Sequence, residues 1–367
     1  MIRRRRILLI VAAVLVALLV VPGVSYARAL SAPGSAPWSQ RTVDWIRSNH
    51  GNGLINAIEN WYYTRHQPGT GPPDPATLPQ AAASRTAPRD AAPPATLPLP
   101  AGATRLPGEA TWVPGRVARD GRPLIYTSFL RPDPRHLSVV AGVAWMRAGA
   151  SVAHLVAGTA QPGGSGWPGD AAVPAQDVPK LVATFNSGFK MADIHGGFFL
   201  AGRTARPLRN GQASLVIDTQ GRVTIGQWGR DVSMSPSVAA VRQNLALIVD
   251  GGRPVSGLST NAGGRWGTAR NQLQYTWRSG VGLDARGDLI YVAGNSMNLT
   301  TLATAMADAG IVRGMQLDIH SGMASFASWR PQPGGEVLAH KLLPGMTRSA
   351  YRYLSADQRD FIYLTTR

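Results

Sequence analysis

Aspartates at the ends of apolar strands, and an arginine entering one, are the residues here whose types and spacing could do chemistry. Met315-Gln316-Leu317-Asp318-Ile319-His320-Ser321-Gly322 is an apolar run that stops on Asp318. Asn244 to Val249 is a second apolar run, and it stops on Asp250. Arg278 opens Arg278-Ser279-Gly280-Val281-Gly282-Leu283-Asp284. Glutamate occurs only at Glu59, Glu109 and Glu336, and the first two lie before or at the edge of the domain read below. Carboxylate chemistry, such as attack on or proton removal at a sugar carbon, therefore falls to aspartates. A guanidinium fork near such a carboxylate would hold phosphate oxygens through paired hydrogen bonds. The competing reading is structural. Strand-end aspartates cap turns, and a strand-end arginine forms a salt bridge.

Elements on either side must position these groups. Val281 to Asp284 and Leu289 to Val292 flank Ala285-Arg286-Gly287 as a hairpin, and Ser214 to Ile217 and Arg222 to Ile225 flank Thr219-Gln220-Gly221 as another. Pro123 to Arg131, Leu137 to Met146 and Leu181 to Phe185 also read as strands, the last ending at Asn186. Leu299 to Ala309 is the clearest helix. Leu299, Leu302, Ala303 and Met306 share one face, with Asn298 as N-cap and Gly310 at C′. Short strands in hairpins with occasional helices predict an α+β fold, a mixed or antiparallel sheet with packed helices.

The order of these motifs resembles the phosphodiester glycosidase family over roughly residues 184–328. Arg278 matches the arginine of the family's Arg-Thr/Ser-Ala/Gly-x-Gly segment. Leu317-Asp318 matches the start of its Leu-Asp-Gly-Gly-Gly-Ser motif. Thr184-Phe185-Asn186-Ser187-Gly188-Phe189 is similar to its Asn-Gly-Gly-Phe element. The resemblance implies an α+β fold and a hydrolase acting on a sugar–phosphate bond. Asp318 would be general base or nucleophile, Arg278 the phosphate clamp and Asp250 the group orienting substrate or water. Asn186, Lys190, His195, His320 and Ser321 would contact substrate. The chain departs from the pattern where Ile319-His320-Ser321-Gly322 replaces the glycine run. Glycines there let backbone amides approach an anionic oxygen, and Ile319 and His320 carry Cβ atoms that oppose this. A protein that binds an envelope polymer without cutting it, or one that assembles a membrane complex, is the alternative.

The loop Lys190 to Arg203 holds Asp193-Ile194-His195, the same triplet type as Asp318-Ile319-His320. Two such units offer oxygens and nitrogens to a metal, but the spacing is no recognised metal signature. Neither a metal nor another cofactor is expected. Lys190, His195 and Arg203 instead read as a cationic lid, with Phe198 and Phe199 as a stacking face or as anchors of the loop.

Composition bounds the rest. The chain has 367 residues, no cysteine and a formal charge of +17, with only three lysines among 37 basic residues. Disulfides, thiolate metal sites and cysteine nucleophiles are excluded. The charge suits anionic lipid or phosphate polymers. It equally suits a bias toward arginine in a high-GC genome. No nucleic-acid-binding signature is present. Arg3 to Arg6 precede the apolar run Ile7 to Val21, closed by Pro22-Gly23. That pattern predicts export, with residues 1–29 as a signal or retained anchor and the remainder on the extracytoplasmic face, or secreted if Ala27-Arg28-Ala29 is cleaved. Residues 38–66 predict an aromatic helical arm broken around Asn49 to Gly53. Residues 67–108, with 11 prolines, predict an extended spacer. Residues 109–367 are long enough for one sizeable domain, which the resemblance implies is phosphodiester glycosidase-like.

Overall fold

The structure, a computed structural model, describes residues 20–32, 37–79 and 93–367. The chain divides into a unit at Met1–Glu59 and a unit at Asn60–Arg367.

In the first unit, residues 20–31 are helical, and the helix runs through Pro22 and Gly23 rather than stopping there. Most of the apolar run Ile7 to Val21 lies outside the described residues. Among the described residues no helix is long and apolar enough to cross a membrane. A second helix, α1 (Trp38–Ile46), packs back on residues 20–31. Its Trp45 ring lies 5.1 Å from Tyr26, and Trp45 Nε1 donates to Ser25 Oγ at 3.0 Å. A kink with His50 at φ +67° then opens helix α2 (Asn52–Arg65), at the place where the Asn49–Gly53 break was expected.

The second unit is built on strands. In chain order they are β1 (Val113–Pro114), β2 (Ile125–Leu130), β3 (Ala141–Met146), β4 (Ser151–Val156), β5 (Leu181–Asn186), β6 (Phe198–Leu200), β7 (Arg203–Arg206), β8 (Ala213–Asp218) and β9 (Val223–Gln227). They continue as β10 (Val238–Gln243), β11 (Leu247–Asp250), β12 (Arg253–Pro254), β13 (Thr276–Leu283), β14 (Leu289–Met297), β15 (Arg313–Ile319), β16 (Phe326–Pro331), β17 (Val337–Lys341) and β18 (Phe361–Thr366). A ten-residue helix, α3 (Leu299–Asp308), joins β14 to β15. Three sheets form, in the orders β1-β2-β3-β14-β13-β15-β11-β12, β7-β6-β10-β8-β9 and β17-β16-β5-β18-β4. The ladders within them are antiparallel. The expected α+β class is what the structure has, with sheet dominant.

The eight-stranded sheet is buried on both faces at its centre, which is why β14 reads as a continuous apolar run rather than an alternation. Ile290 and Val292 face α3, against Leu302, Ala303 and Met306. Tyr291, Val281, Met315 and Leu317 face the other way. There they join Phe185, Phe326 and Ile362 of one small sheet and Leu215 and Ile217 of the other in a single apolar cluster. Helix α3 lies close because the strands beneath it carry glycine. A Cβ at Gly280 would come within 2.4 Å of Met306 Sδ, and one at Gly282 within 2.3 Å of Ile311 Cγ2. The helix begins at the expected cap, Asn298 Oδ1 accepting from Thr301 N at 2.9 Å, and Gly310 takes φ +90° beyond its end.

The proline-rich stretch corrects the expectation of a spacer. Its described parts lie on the domain. Ser138 Oγ donates to Gly69 O at 2.7 Å, Trp112 Nε1 to Ala95 O at 2.9 Å and Arg131 Nη2 to Thr104 O at 2.7 Å, while Leu97 is buried among the residues packed under α3. An extended proline-rich backbone has no internal hydrogen bonds, so its carbonyls stay open to donors on a neighbouring surface. Glu109, where this stretch ends, is sealed in a two-bond ion pair with Arg131.

Candidate active site

Strand β15 delivers Asp318 to the end of the eight-stranded sheet. The backbone around it is held from two sides. Asp318 N donates to Ser187 O at 3.2 Å, and Ser279 Oγ of β13 donates to Asp318 O at 2.7 Å. Beyond it the chain turns at His320, whose φ of +79° is a conformation that glycine adopts without a Cβ penalty. The turn is fixed by its own bonds. His320 N donates to Trp277 O at 2.8 Å, and His320 O accepts from Met323 N at 3.1 Å and Ala324 N at 3.2 Å. His320 thus occupies a glycine-like conformation while keeping its imidazole half-exposed beside exposed Ser321.

The cation beside Asp318 is not the one the sequence suggested. Arg359 Nη2 lies 2.6 Å from Asp318 Oδ2 and also donates to Gly188 O at 3.0 Å. The other carboxylate oxygen of Asp318 accepts from Ile319 N at 2.9 Å. Two residues before Arg359, Asp357 accepts from Arg359 N at 2.9 Å, from Arg352 Nε at 2.6 Å and from Arg352 Nη2 at 3.0 Å, with Arg348 Nη2 at 3.5 Å. Arg352 Nη1 reaches the carbonyls of Gly322 and Met323, on the turn that follows His320. Three guanidinium groups therefore face two carboxylates, an excess of one positive charge in a region where all five side chains are largely buried. Burial works to raise the carboxyl pKa of Asp357, but Arg352, the Arg359 amide and Arg348 outweigh it and hold it below the usual range. Burial likewise opposes the charge on Arg352, and Tyr353, Asp357 and Asp318 together hold its pKa above the ordinary value.

These arginines follow the last residue of the recognised motifs, so motif order could not point to them. A signal is present in the density of charge over Thr347 to Asp360, which holds three arginines and two aspartates. Pairing gives that density a place. β18 runs antiparallel to β5 with Phe361 opposite Asn186, which brings Arg359 and Asp360 to the end of β5 beside Ser187 and Gly188.

Three of the sequence-based assignments are corrected. Asp250 does not share the Asp318 site. β11 and β15 are antiparallel, with Asp250 opposite Arg313 at the start of β15. Asp318 is at the other end of that strand, roughly 17 Å away at about 3.4 Å per residue. Asp250 pairs instead with Arg230 at 2.8 Å and Arg313 at 3.9 Å in a half-exposed surface network. Arg278 does not line an open cleft, being 1% exposed. Its Nε donates to Met297 O at 3.0 Å, and its Nη2 to Gln272 Oε1 at 3.3 Å and Gln274 O at 3.4 Å. The bulge between β13 and β15 pairs Arg278 with Ile319 rather than Asp318. Asn186 has no bond to spare for a substrate. Its Oδ1 accepts from Tyr291 OH at 2.8 Å and Ser325 N at 3.0 Å, and its Nδ2 donates to Ser187 O and Ser279 Oγ, both at 3.0 Å. It ties β5 to β13 and β14, and through Ser279 it supports Asp318.

Lys190 is half-buried two residues beyond Gly188, on the loop that Arg359 holds, while His195 is exposed farther along the same loop. The two Asp-Ile-His triplets do not gather. Among the described residues no group of three or more Asp, Glu or His is placed to hold a metal ion. Arg203 lies over the Trp167 ring at 4.2 Å and donates to Ser165 O, so it closes a surface loop rather than a lid. Near the turn, the Tyr63 ring is 6.4 Å from His320, and Tyr63 O accepts from Tyr275 N at 3.4 Å.

Comparison with known proteins adds the following. No family model matches the chain, and no curated protein matches it. Among solved structures, it is similar to the zebrafish N-acetylglucosamine-1-phosphodiester α-N-acetylglucosaminidase catalytic domain, auto-inhibited by its pro-peptide. That match has 15% identity and a TM-score of 0.45 over 69% of this chain and 87% of that one. A hypothetical protein from Synechocystis is similar at 13% identity and a TM-score of 0.33, over 62% of this chain and 59% of that one. A putative exported protein from Burkholderia pseudomallei is similar at 13% identity and a TM-score of 0.33, over 62% and 74%.

Proposed function

We propose that this protein is a hydrolase that cleaves the bond between a sugar's anomeric carbon and a phosphodiester. The observation that carries this reading is Asp318 paired at 2.6 Å with Arg359, inside a cluster that holds, among the described residues, three guanidinium groups and two carboxylates. Such a site suits a substrate with one negative charge that gains another as it reacts. The motif order around Arg278 and Asp318, similar to that of the phosphodiester glycosidases, supports the same chemistry.

We take Asp318 as the nucleophile, since the guanidinium of Arg359 fixes the position of its carboxylate at the strand end. In the first step a carboxylate oxygen of Asp318 attacks the anomeric carbon. The carbon–oxygen bond to the phosphate breaks, and its electron pair leaves on the phosphate oxygen. The departing phosphomonoester carries one more negative charge than the diester, and the arginine cluster offsets that charge as it develops. Phosphate leaves without a strong general acid, which fits a site poor in glutamate. In the second step water attacks the same carbon, Asp318 leaves with its electron pair, and the water proton passes to solvent. Two displacements at one carbon retain the anomeric configuration. Asn186 and Ser279 act as positioning residues for the Asp318 backbone.

The test is turnover of a panel of sugar-1-phosphodiesters, with the anomer of the released sugar read by NMR. Release with retention supports the reading. Binding without release would establish the non-catalytic polymer-binding protein instead.

We further infer that the chain works on the outer face of a membrane, on an anionic envelope glycan or glycolipid. The arginines ahead of Ile7 to Val21 support this, as does α2. That helix leaves Leu54, Ile58, Trp61 and Tyr62 exposed on one stripe at 64%, 52%, 57% and 46%. An outward apolar stripe with Trp and Tyr suits the lipid–water boundary. The cysteine-free chain permits single-cysteine labels. A fluorophore at Leu54→Cys or Ile58→Cys that stays unshifted on anionic vesicles would refute the location.

A further inference from the structure

Under α3, on the face of the sheet turned away from the three-sheet core, the buried charge of Arg278 has no counter-charge. Its three bonds go to the neutral acceptors Met297 O, Gln272 Oε1 and Gln274 O, and Nη1 is buried with no protein group accepting from it. Burial alone pulls its pKa down to about 10, with no neighbouring carboxylate holding it up. A buried guanidinium without an anion carries a desolvation cost of several kcal/mol.

A second buried group sits on the same face. Gln316 is 1% exposed, and neither its Nε2 nor its Oε1 has a protein partner. Gly280 is opposite Gln316 in the ladder, and Arg278 is two residues from Gly280 along β13. Residues two apart on a strand share a face, so Arg278 and Gln316 are diagonal neighbours. The clash a Cβ at Gly280 would make with Met306 identifies that face as the one under α3. A third source of positive potential is adjacent. Met297, whose carbonyl Arg278 binds, lies one residue before the N-cap of the ten-residue α3, and Leu299 N donates to Gln272 O at 3.4 Å. Gln272, which accepts from Arg278, in turn donates through Nε2 to Trp266 O at 2.8 Å.

We propose that Arg278 and Gln316, beneath the N-terminus of α3, form a binding site for a small monovalent anion of chloride size. The donors on offer decide the class. The Nη1 hydrogens and the Gln316 amide can surround a halide. They are too few for the several oxygens and double charge of a phosphate. This site is separate from the Asp318 cluster and does not depend on the proposed reaction.

Diffraction from crystals of the full chain grown in sodium bromide tests it. An anomalous peak within about 3.5 Å of Arg278 Nη1 is expected. Thermal unfolding at fixed ionic strength gives a second readout. The wild type should melt several degrees higher in chloride or bromide than in gluconate, because an anion bound only by the folded state stabilises it. Arg278→Gln should melt at the same temperature in all three salts. If that variant does not fold, Gln316→Leu should show a reduced halide response. Absence of bromide density, or equal melting of the wild type in halide and gluconate, would overturn the site and leave Arg278 and Gln316 bonded to each other or to water.

Discussion

Arg359 Nη2 lies 2.6 Å from Asp318 Oδ2 and also donates to Gly188 O, so one guanidinium joins the end of β15 to the loop leaving β5. Most of what can be tested follows from this bond and from the arginines behind it.

Asp318→Asn removes the nucleophile while keeping size and hydrogen-bonding capacity. Turnover of a sugar-1-phosphodiester should fall by about 10³-fold or more, with binding of the substrate retained. Steady-state kinetics alongside calorimetric binding checks this. Loss of binding with unchanged kcat would contradict the role.

Arg359→Lys keeps the charge and loses the planar fork. kcat/KM should fall roughly 10- to 100-fold, in the range that loss of one transition-state hydrogen bond gives. Arg359→Gln should lower it further and also lower the melting temperature, since it removes the guanidinium 2.6 Å from a buried carboxylate. Arg359→Lys melting like the wild type but turning over slowly would separate chemistry from folding.

Asp357→Asn removes the carboxylate that lies 2.6 Å from Arg352 and 3.5 Å from Arg348. A loss of about 3–5 kcal/mol in denaturant unfolding is expected for breaking a buried pair from one side. The pH dependence has a definite sign. The carboxyl pKa of Asp357 is lowered by folding, so its contribution is fully present above the unfolded value of about 3.9 and is lost as pH falls through the lower folded value. Melting temperature followed below pH 5 should therefore drop more steeply for the wild type than for Asp357→Asn.

Asp250→Asn is the opposite case. The Asp250 pairs with Arg230 and Arg313 are half-exposed, and such pairs contribute up to about 1 kcal/mol. Turnover within about twofold of the wild type is expected. A loss comparable to that of Asp318→Asn would place Asp250 back in the site.

Asn186→Ala removes four internal hydrogen bonds, leaving Ser325 N without its acceptor and Tyr291 OH with only Ser325 O at 3.4 Å. Destabilisation of about 2–4 kcal/mol should result, at 1–3 kcal/mol for each buried group left unsatisfied. Where the variant folds, kcat should fall with KM little changed, because Ser279 loses a partner while it holds the Asp318 carbonyl.

The residue order alone determined the local elements and showed which carboxylates end apolar strands. The hairpin around Gly287, the strand ending at Asn186, the capped helix from Leu299 and the strand ending on Asp318 were legible. Each depends on short-range rules: alternation, turn glycines and caps. Which strand ends share a site was decided only by tertiary structure. Asp250 and Asp318 look equivalent along the chain, yet antiparallel pairing sends them to opposite ends of β15. Arg278 looks like a clamp, yet the fold encloses it under α3, and the guanidinium beside Asp318 is that of Arg359, brought there by the pairing of β18 with β5. The partner, direction and register of each strand are long-range choices made by the shared core. A sequence window therefore reveals which groups leave a strand but not which of them meet.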